Sequence, residues 1–230
     1  TVLSKIALIY CNLYITTNKD DIDLITKSEF HRKKITYQPN FVDIDSSRYI
    51  KPIEQRVHNT LFSVGRLEEQ KNHIKLIEML KHSDYKLRII GEGILKEVLI
   101  NSSRENNVEL ELSSNLEHSL LLETYSEYLF YIQLSKFEGN PKTILEAMGA
   151  GCIVITTDVY GIGNIINNEE NGILLKDNDS LPLIIDNLLL DNELINKISK
   201  NAKATVFENF SYKNFLNIEV ENYKSLNIVN

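Results

Sequence analysis

Two glutamates, Glu138 and Glu146, stand eight residues apart in "SKFEGNPKTILEAMGAGCIVI" (135–155), on either side of an Asn-Pro step. Neighbouring carboxylates invite an acid–base reading, and a hydrolytic pair holds them ~5–9.5 Å apart across the bond it cleaves. On one continuous helix, eight residues at 1.5 Å each would separate them by ~12 Å. Here one acid precedes the helix and the other falls in its second turn. That arrangement suits two acceptors for separate sets of hydroxyls on one long ligand. Asn140 is placed to cap the helix, Pro141 fits its first position, and Gly149 and Gly151 close it. A helix that opens at the C-terminal edge of a sheet offers free N–H groups to an anion.

A second stretch, "SVGRLEEQKN" (63–72), carries two cations. Gly65 and Arg66 end a strand candidate and Lys71 opens the next helix. Cations at this spacing can meet a diphosphate from the side opposite a helix N-terminus. A third, "IIGEGILKEVL" (89–99), is a strand running into Gly91-Glu92-Gly93 and then a helix, without the third glycine of a dinucleotide fingerprint. The histidines, His31, His58, His73, His82 and His118, fall outside these stretches. His73, two residues beyond Lys71, reads as a surface residue.

The elements that must position these groups follow from the apolar pattern. Strand candidates lie at 60–65, 85–91, 108–112, 128–135 and 152–156, alternating with helices over 71–83, 94–105, 116–127 and 142–149. "YLFYIQLS" (128–135) is nearly continuous in apolar residues, as expected of a strand buried on both faces. Strands alternating with helices give an α/β fold with a doubly wound, Rossmann-like parallel sheet. The tail from about residue 180 reads as helical, and a last amphipathic segment follows "FSYKNF". Residues 1–59 read as a helix-like start, a short strand at "LYITT", a helix over 18–28 and a strand over 34–40. They are too few for a complete second sheet, so the expectation is a partial first domain.

Bulk properties narrow the class of ligand. The chain has 230 residues and a formal net charge of −7, which argues against a general nucleic-acid binder because no overall positive field attracts phosphate backbones. Cys11 and Cys152 lie in apolar surroundings without metal-ligand spacing, and read as reduced core thiols of a cytosolic protein. No run reaches the ~18 apolar residues of a membrane span, and the first residues lack a signal-peptide pattern.

In this order the stretches resemble the donor-binding half of a GT-B retaining glycosyltransferase, in the large family often called family 4 or glycosyl transferases group 1. The family pattern runs GR-L-x3-K, then G-[DE]-G, then E-G-x-P-x3-L-E-A-M-x-x-G. "GRLEEQK", "GEG" and "EGNPKTILEAMGAG" match it, as does "NEENGILL" (168–175) after them. The resemblance covers residues 60–225, and "KKITYQPNFVD" (33–43) is similar to the family's connection between its two domains. It implies that residues 1–45 end an N-terminal acceptor domain, that 46–210 bind the donor, and that 211–230 form a closing helix. It also implies transfer, with retention, of a hexosyl or N-acetylhexosaminyl group from a nucleotide-diphosphate sugar, foremost a UDP-sugar. The acceptor would be a glycan or lipid-linked molecule. No metal is expected, and the location is cytoplasmic, with peripheral membrane association through the missing part of the first domain.

The resemblance implies residue roles as well. Arg66 and Lys71 would neutralise the departing diphosphate, and Glu138 would bind sugar hydroxyls. Gly65, at the strand end, belongs to the donor-binding set. Gly139, Asn140 and Pro141 would line the sugar pocket, while the backbone amides of Lys142 and Thr143 take the phosphates. Glu146 would accept from the ribose, and Gly93 would let the nucleotide approach closely. The chain departs from the pattern at Asn164, where many members carry an acid, and in "LSSN", where a glycine commonly follows the third strand. Nothing in residues 1–59 corresponds to the family's acceptor-facing Gly-rich loop and histidine. Two readings therefore stand: an active transferase completed by an acceptor domain, or a nucleotide-sugar-binding module inactive alone. An epimerase on the same general fold is disfavoured by "EGNPKTILEAM".

Overall fold

The computed structural model describes residues 12–27, 34–43 and 50–226. Cys11, His31 and the expected helix-like start lie outside these residues. The described chain forms two parallel sheets. A small unit comes first: β1 (Leu13–Thr16), α1 (Lys19–Thr26) and β2 (Lys34–Tyr37), with β1 and β2 paired in parallel. Asn18 caps α1 by accepting from the Asp20 amide at 3.0 Å.

The main sheet holds β3 (Thr60–Val64), β4 (Lys86–Ile90), β5 (Leu110–Ser113), β6 (Phe130–Gln133), β7 (Ile153–Thr157) and β8 (Ile173–Leu175). Its spatial order is β5-β4-β3-β6-β7-β8, and all five pairings are parallel. Between the strands run α2 (His73–Met79), α3 (Lys96–Glu105), α4 (His118–Glu127) and α5 (Lys142–Gly149). Beyond β8 follow α6 (Leu181–Leu190), α7 (Asn192–Asn209) and α8 (Tyr212–Ser225). The expected doubly wound parallel sheet is present. β8 is an addition, because three residues, Ile-Leu-Leu, are too short a run to announce a strand.

Alternating side chains explain why both faces are covered. Leu61, Leu87, Ile89, Phe130, Ile132, Ile153 and Ile155 enter one core with α2, α3 and α6. Phe62, Val64, Ile90, Tyr131 and Val154 enter the other with α4 and α5. Strands buried this way need no polar alternation, so the runs in the sequence are nearly continuous. Cys152 is fully buried, its thiol directed at the Tyr125 carbonyl at 3.1 Å, and burial pushes its pKa up to about 12. It is a core thiol, as its surroundings suggested.

The last helix returns to the small unit. Val42 bridges to Ser211, Phe41 packs on Tyr212 and Phe215 with ring centroids 5.1 and 4.6 Å away, and Asn222 donates to Gln38. The aromatics of "FSYKNF" therefore serve packing.

Candidate functional site

In an open parallel sheet, ligands settle outside the C-terminal ends of the strands where the strand order reverses. Here that point lies between β3 and β6. The residues after β3 and after β6 form two loops that are stitched together: Lys136 N donates to the Gln70 carbonyl (2.9 Å), and Gln70 Nε2 donates to the Phe137 carbonyl (3.0 Å). This stitching brings Lys71, in a 3-10 turn over Glu69–Lys71, onto Glu138. Lys71 Nζ donates to Glu138 Oε1 at 2.6 Å, and both side chains are nearly buried, 12% and 8% exposed. The Lys71 stem runs over Gly65, where an added Cβ would sit 3.2 Å from it.

Gln133 continues the network from the end of β6. Its Nε2 donates to Glu138 Oε1 at 2.9 Å, and its Oε1 accepts from the hydroxyls of Thr143 and Tyr131, both at 2.8 Å. Glu138 Oε2 has no protein donor among the described residues, so one carboxylate oxygen is held and the other is open to a ligand. The loop that carries it is pinned from outside. Glu138 N donates to the Tyr160 carbonyl (3.0 Å), and Gly161, at φ +86°, packs so tightly that a Cβ would fall 2.1 Å from the Glu138 carbonyl oxygen.

α5 begins at this network. The helix spans the expected residues, but Pro141, at φ −74° and ψ 101°, occupies the cap position rather than the first helical one. Asn140 does not cap the helix. Its amide accepts from Asn40 N (3.2 Å) and donates to the Thr17 carbonyl (3.1 Å), while Asn40 Nδ2 donates to the Asn140 carbonyl (2.6 Å). The long-range partners win because the small unit lies directly against this loop. With no side-chain cap, the Lys142 and Thr143 amides have no intrahelical acceptor and face outward with the positive end of the helix. Nothing lies within 4 Å of a Cβ built on Gly139, so the space at that position of the loop is open.

Glu146 sits one turn further in, only 5% exposed by its side chain. Its Oε1 accepts from His118 Nε2 at 2.9 Å, with Lys142 Nζ 3.8 Å away, and its Oε2 accepts from the Tyr125 hydroxyl at 3.2 Å. Burial, followed by the neighbouring Tyr131 and the negative charge of Glu146, raises the Tyr125 pKa well above its ordinary value, so that hydroxyl remains a donor. His118 and Tyr125 are seven residues apart and thus share one face of α4.

Arg66 lies at the mouth, 67% exposed, beside Glu68 at 3.1 Å and Gln70 at 3.5 Å. Such an exposed pair holds its partner weakly, and Arg66 is free to turn toward an anion. Gly93 has a reason within the chain itself, since a Cβ there would come within 2.5 Å of the Leu67 carbonyl oxygen. His73 contradicts its surface reading. It is 4% exposed, its Nε2 stands 3.3 Å from the Ser63 hydroxyl, and its Nδ1 has no partner among the described residues. Burial, and then the charge of Lys71, push its pKa down to about 4. The helix it begins docks that face onto the sheet, so a polar residue at a helix start ends up inside.

The fold thus gathers Gly65, Lys71, Glu138, Gly139, Asn140, Pro141, Lys142, Thr143 and Glu146 around one helix N-terminus, with Arg66 at the rim. Sequence reasoning missed Gln133, His118 and Tyr125. A lone amide in the apolar run "YLFYIQLS" was the available signal for Gln133. Among the described residues, no group of three or more His, Cys, Asp or Glu side chains is arranged to hold a metal ion, and no helix is long and apolar enough to cross a membrane.

These residues lie at the switch point of a doubly wound parallel sheet, where such folds hold their ligands. Residues 50–205 match the glycosyl transferases group 1 family, and the chain belongs to it. A Campylobacter jejuni relative, N-acetylgalactosamine-N,N'-diacetylbacillosaminyl-diphospho-undecaprenol 4-alpha-N-acetylgalactosaminyltransferase, is 28% identical over 216 residues, 87% of this chain and 57% of that protein. Among solved structures, sucrose-phosphate synthase from Thermosynechococcus elongatus superposes with a TM-score of 0.84 at 18% identity, over 98% of this chain and 61% of that one. Anabaena HepE, solved with UDP and glucose, gives a TM-score of 0.78 at 16% identity, over 99% of this chain and 66% of that one. These likenesses establish the GT-B fold. The chain spans 57–66% of the length of these three proteins.

Proposed function

We propose that this chain carries the donor site of a retaining glycosyltransferase that moves a hexosyl or N-acetylhexosaminyl group from a UDP-sugar to a glycan or lipid-linked acceptor. The observation that carries this reading is the Lys71–Glu138–Gln133–Thr143 network, which meets the uncapped start of α5 at the strand-order reversal. The undecaprenol-linked acceptor in the Campylobacter relative's name, and the UDP and glucose in the HepE structure, favour this choice of substrates. The full transfer reaction, its retention and its site at the cytoplasmic face of a membrane belong to the same proposal.

In this reading each group has a separate task. The diphosphate lies on the amides of Lys142 and Thr143, where helix dipole and unpaired N–H groups favour negative charge. Lys71 and Arg66 stabilise the charge that grows on the leaving UDP as the glycosidic bond breaks, a preorganised electrostatic contribution that asks little rearrangement of the protein. Lys71 has three donors, and only one is engaged by Glu138. Glu138 Oε2 accepts from sugar hydroxyls, and Gly139 and Asn140 shape the space beside it. Glu146 accepts from the ribose. The cations and helix end supply the positive charge that a metal would otherwise provide.

Calorimetric titration with UDP, UDP-glucose, UDP-N-acetylglucosamine and UDP-N-acetylgalactosamine tests the reading. Binding of UDP and of at least one UDP-sugar, unchanged by EDTA, is expected. No heat from any of them would overturn the donor assignment, and binding abolished by EDTA would overturn metal independence.

A further inference from the structure

Both carboxylate oxygens of Glu146 are engaged within the protein. Its Oε2 is taken by Tyr125, which is fully buried and fixed in the core. Its Oε1 is taken by His118 Nε2 at 2.9 Å, with the Lys142 ammonium 3.8 Å away. His118 and Lys142 are the half-exposed partners, 56% and 51%, so they mark the solvent side of a carboxylate that is itself only 5% exposed. An ionised carboxylate only accepts, so His118 must present its Nε2 as N–H. A ribose hydroxyl is also a donor, and it would come to the same oxygen. We propose that His118 belongs to the nucleoside subsite as a displaceable occupant of Glu146, competing with the ribose hydroxyls for Oε1. This rests on the assignment of Glu146 to the ribose.

The physical case is an exchange of one donor for another. Tyr125 cannot leave without opening the core, whereas His118 is the first residue of α4 and its ring reaches solvent without disturbing the helix. Exchanging an N–H···O bond to the carboxylate for an O–H···O bond is nearly even in itself, so the occupant subtracts from affinity by the worth of one hydrogen bond. Its role is to keep the buried carboxylate satisfied when no nucleotide is present, since an unpaired buried acceptor is costly. Because His118 meets the ribose end of the ligand, its effect is confined to ligands that carry a ribose.

The test is calorimetric titration of UDP and of inorganic pyrophosphate into wild type, His118→Ala, His118→Gln and Glu146→Gln. His118→Ala should bind UDP roughly two- to tenfold more tightly, the equivalent of one modest hydrogen bond. Pyrophosphate affinity should not change, and His118→Gln, which can still donate to Oε1, should bind UDP nearly as wild type does. A gain of affinity cannot come from damage to the fold. UDP binding to His118→Ala that is equal to or weaker than wild type overturns the proposal, as does an equal gain for pyrophosphate. If wild type binds no UDP, or Glu146→Gln leaves UDP affinity unaltered, the ribose assignment itself falls and this inference with it.

Discussion

Glu138 and Glu146 flank the same helix start and are buried alike, yet the protein balances their charges by different means. Glu138 has a cation of its own, Lys71, at 2.6 Å in a nearly sealed niche, together with the Gln133 amide. Glu146 has a tyrosine hydroxyl and an imidazole, and its nearest ammonium lies 3.8 Å away on a half-exposed side chain. One carboxylate is locked in a pair and the other is held by exchangeable donors. The locked acid suits a fixed contact beside the reacting sugar, where misplacement of about an ångström is expensive. The exchangeable one suits a handle on the part of the ligand that must enter and leave.

The hardest way to break this contrast is to take away the lysine. Lys71→Ala leaves Glu138 buried without a cation, and breaking such a pair from one side destabilises by roughly 3–5 kcal/mol. Urea unfolding should show this loss, and adding Glu138→Gln should recover much of it. His118→Ala, by comparison, should lower stability by no more than about 1 kcal/mol. Equal losses for Lys71→Ala and His118→Ala would abolish the distinction.

His73 offers a pH probe of the Lys71 side. Its folded pKa of about 4 lies below the ordinary ~6.5, so between these values the unfolded chain binds more protons than the folded one. Stability from the neutral imidazole is therefore complete above about pH 6.5 and is lost as pH falls through about 4, by roughly 3 kcal/mol in all. Urea midpoints measured across that window should fall for wild type and flatten for His73→Gln. Because the Lys71 charge is the second cause of the depression, Lys71→Met should narrow the window from its acid end. A wild-type profile as flat as that of His73→Gln would contradict the buried, neutral state.

The gentlest test separates the two acids by ligand. Glu146→Ala should weaken UDP and UDP-sugar alike, by the ~1.5–3 kcal/mol of hydrogen bonds to a charged group, whereas Glu138→Ala should act mainly on the UDP-sugar. Calorimetry with both ligands on both variants decides it. Should Glu138→Ala weaken plain UDP as much as Glu146→Ala does, the division of roles is wrong.

What could be read from the sequence was whatever depends on neighbours along the chain. Five strands of the main sheet were legible in the sequence, β6 and β7 as nearly continuous apolar runs because both of their faces are buried, and the edge strand β5 as an apolar–acidic alternation with no fully buried residue. Lys71, Glu138 and Glu146 were visible because their spacing along the two loops and the first turns of α5 is fixed. What failed was set by distant partners. Asn140 carries the local chemistry of a helix cap, but Asn40 and Thr17, about a hundred residues or more away, take its amide instead. His73 looked like a surface residue because its neighbours are polar, although the sheet beneath it decides its burial. His118 and Tyr125 reach Glu146 only once α4 has packed beside α5. β8 was missed for a simpler reason: three residues carry too little pattern.

The strand order has a kinetic consequence. β3 meets β4, its successor, through one helix, and β6, β7 and β8 likewise meet in succession, so each half of the sheet can zip from short closures. The β3–β6 seam is different, because Phe62 reaches Tyr131 only across everything between them. Pairings of large sequence separation bear the largest loop-closure entropy and set the pace of folding. The candidate site straddles that seam, with Lys71 contributed by one half and Glu138 by the other. Nucleotide-binding competence should consequently mature in the slowest refolding phase, after the helices have formed, and a bound nucleotide would act as a clasp on the last joint to close.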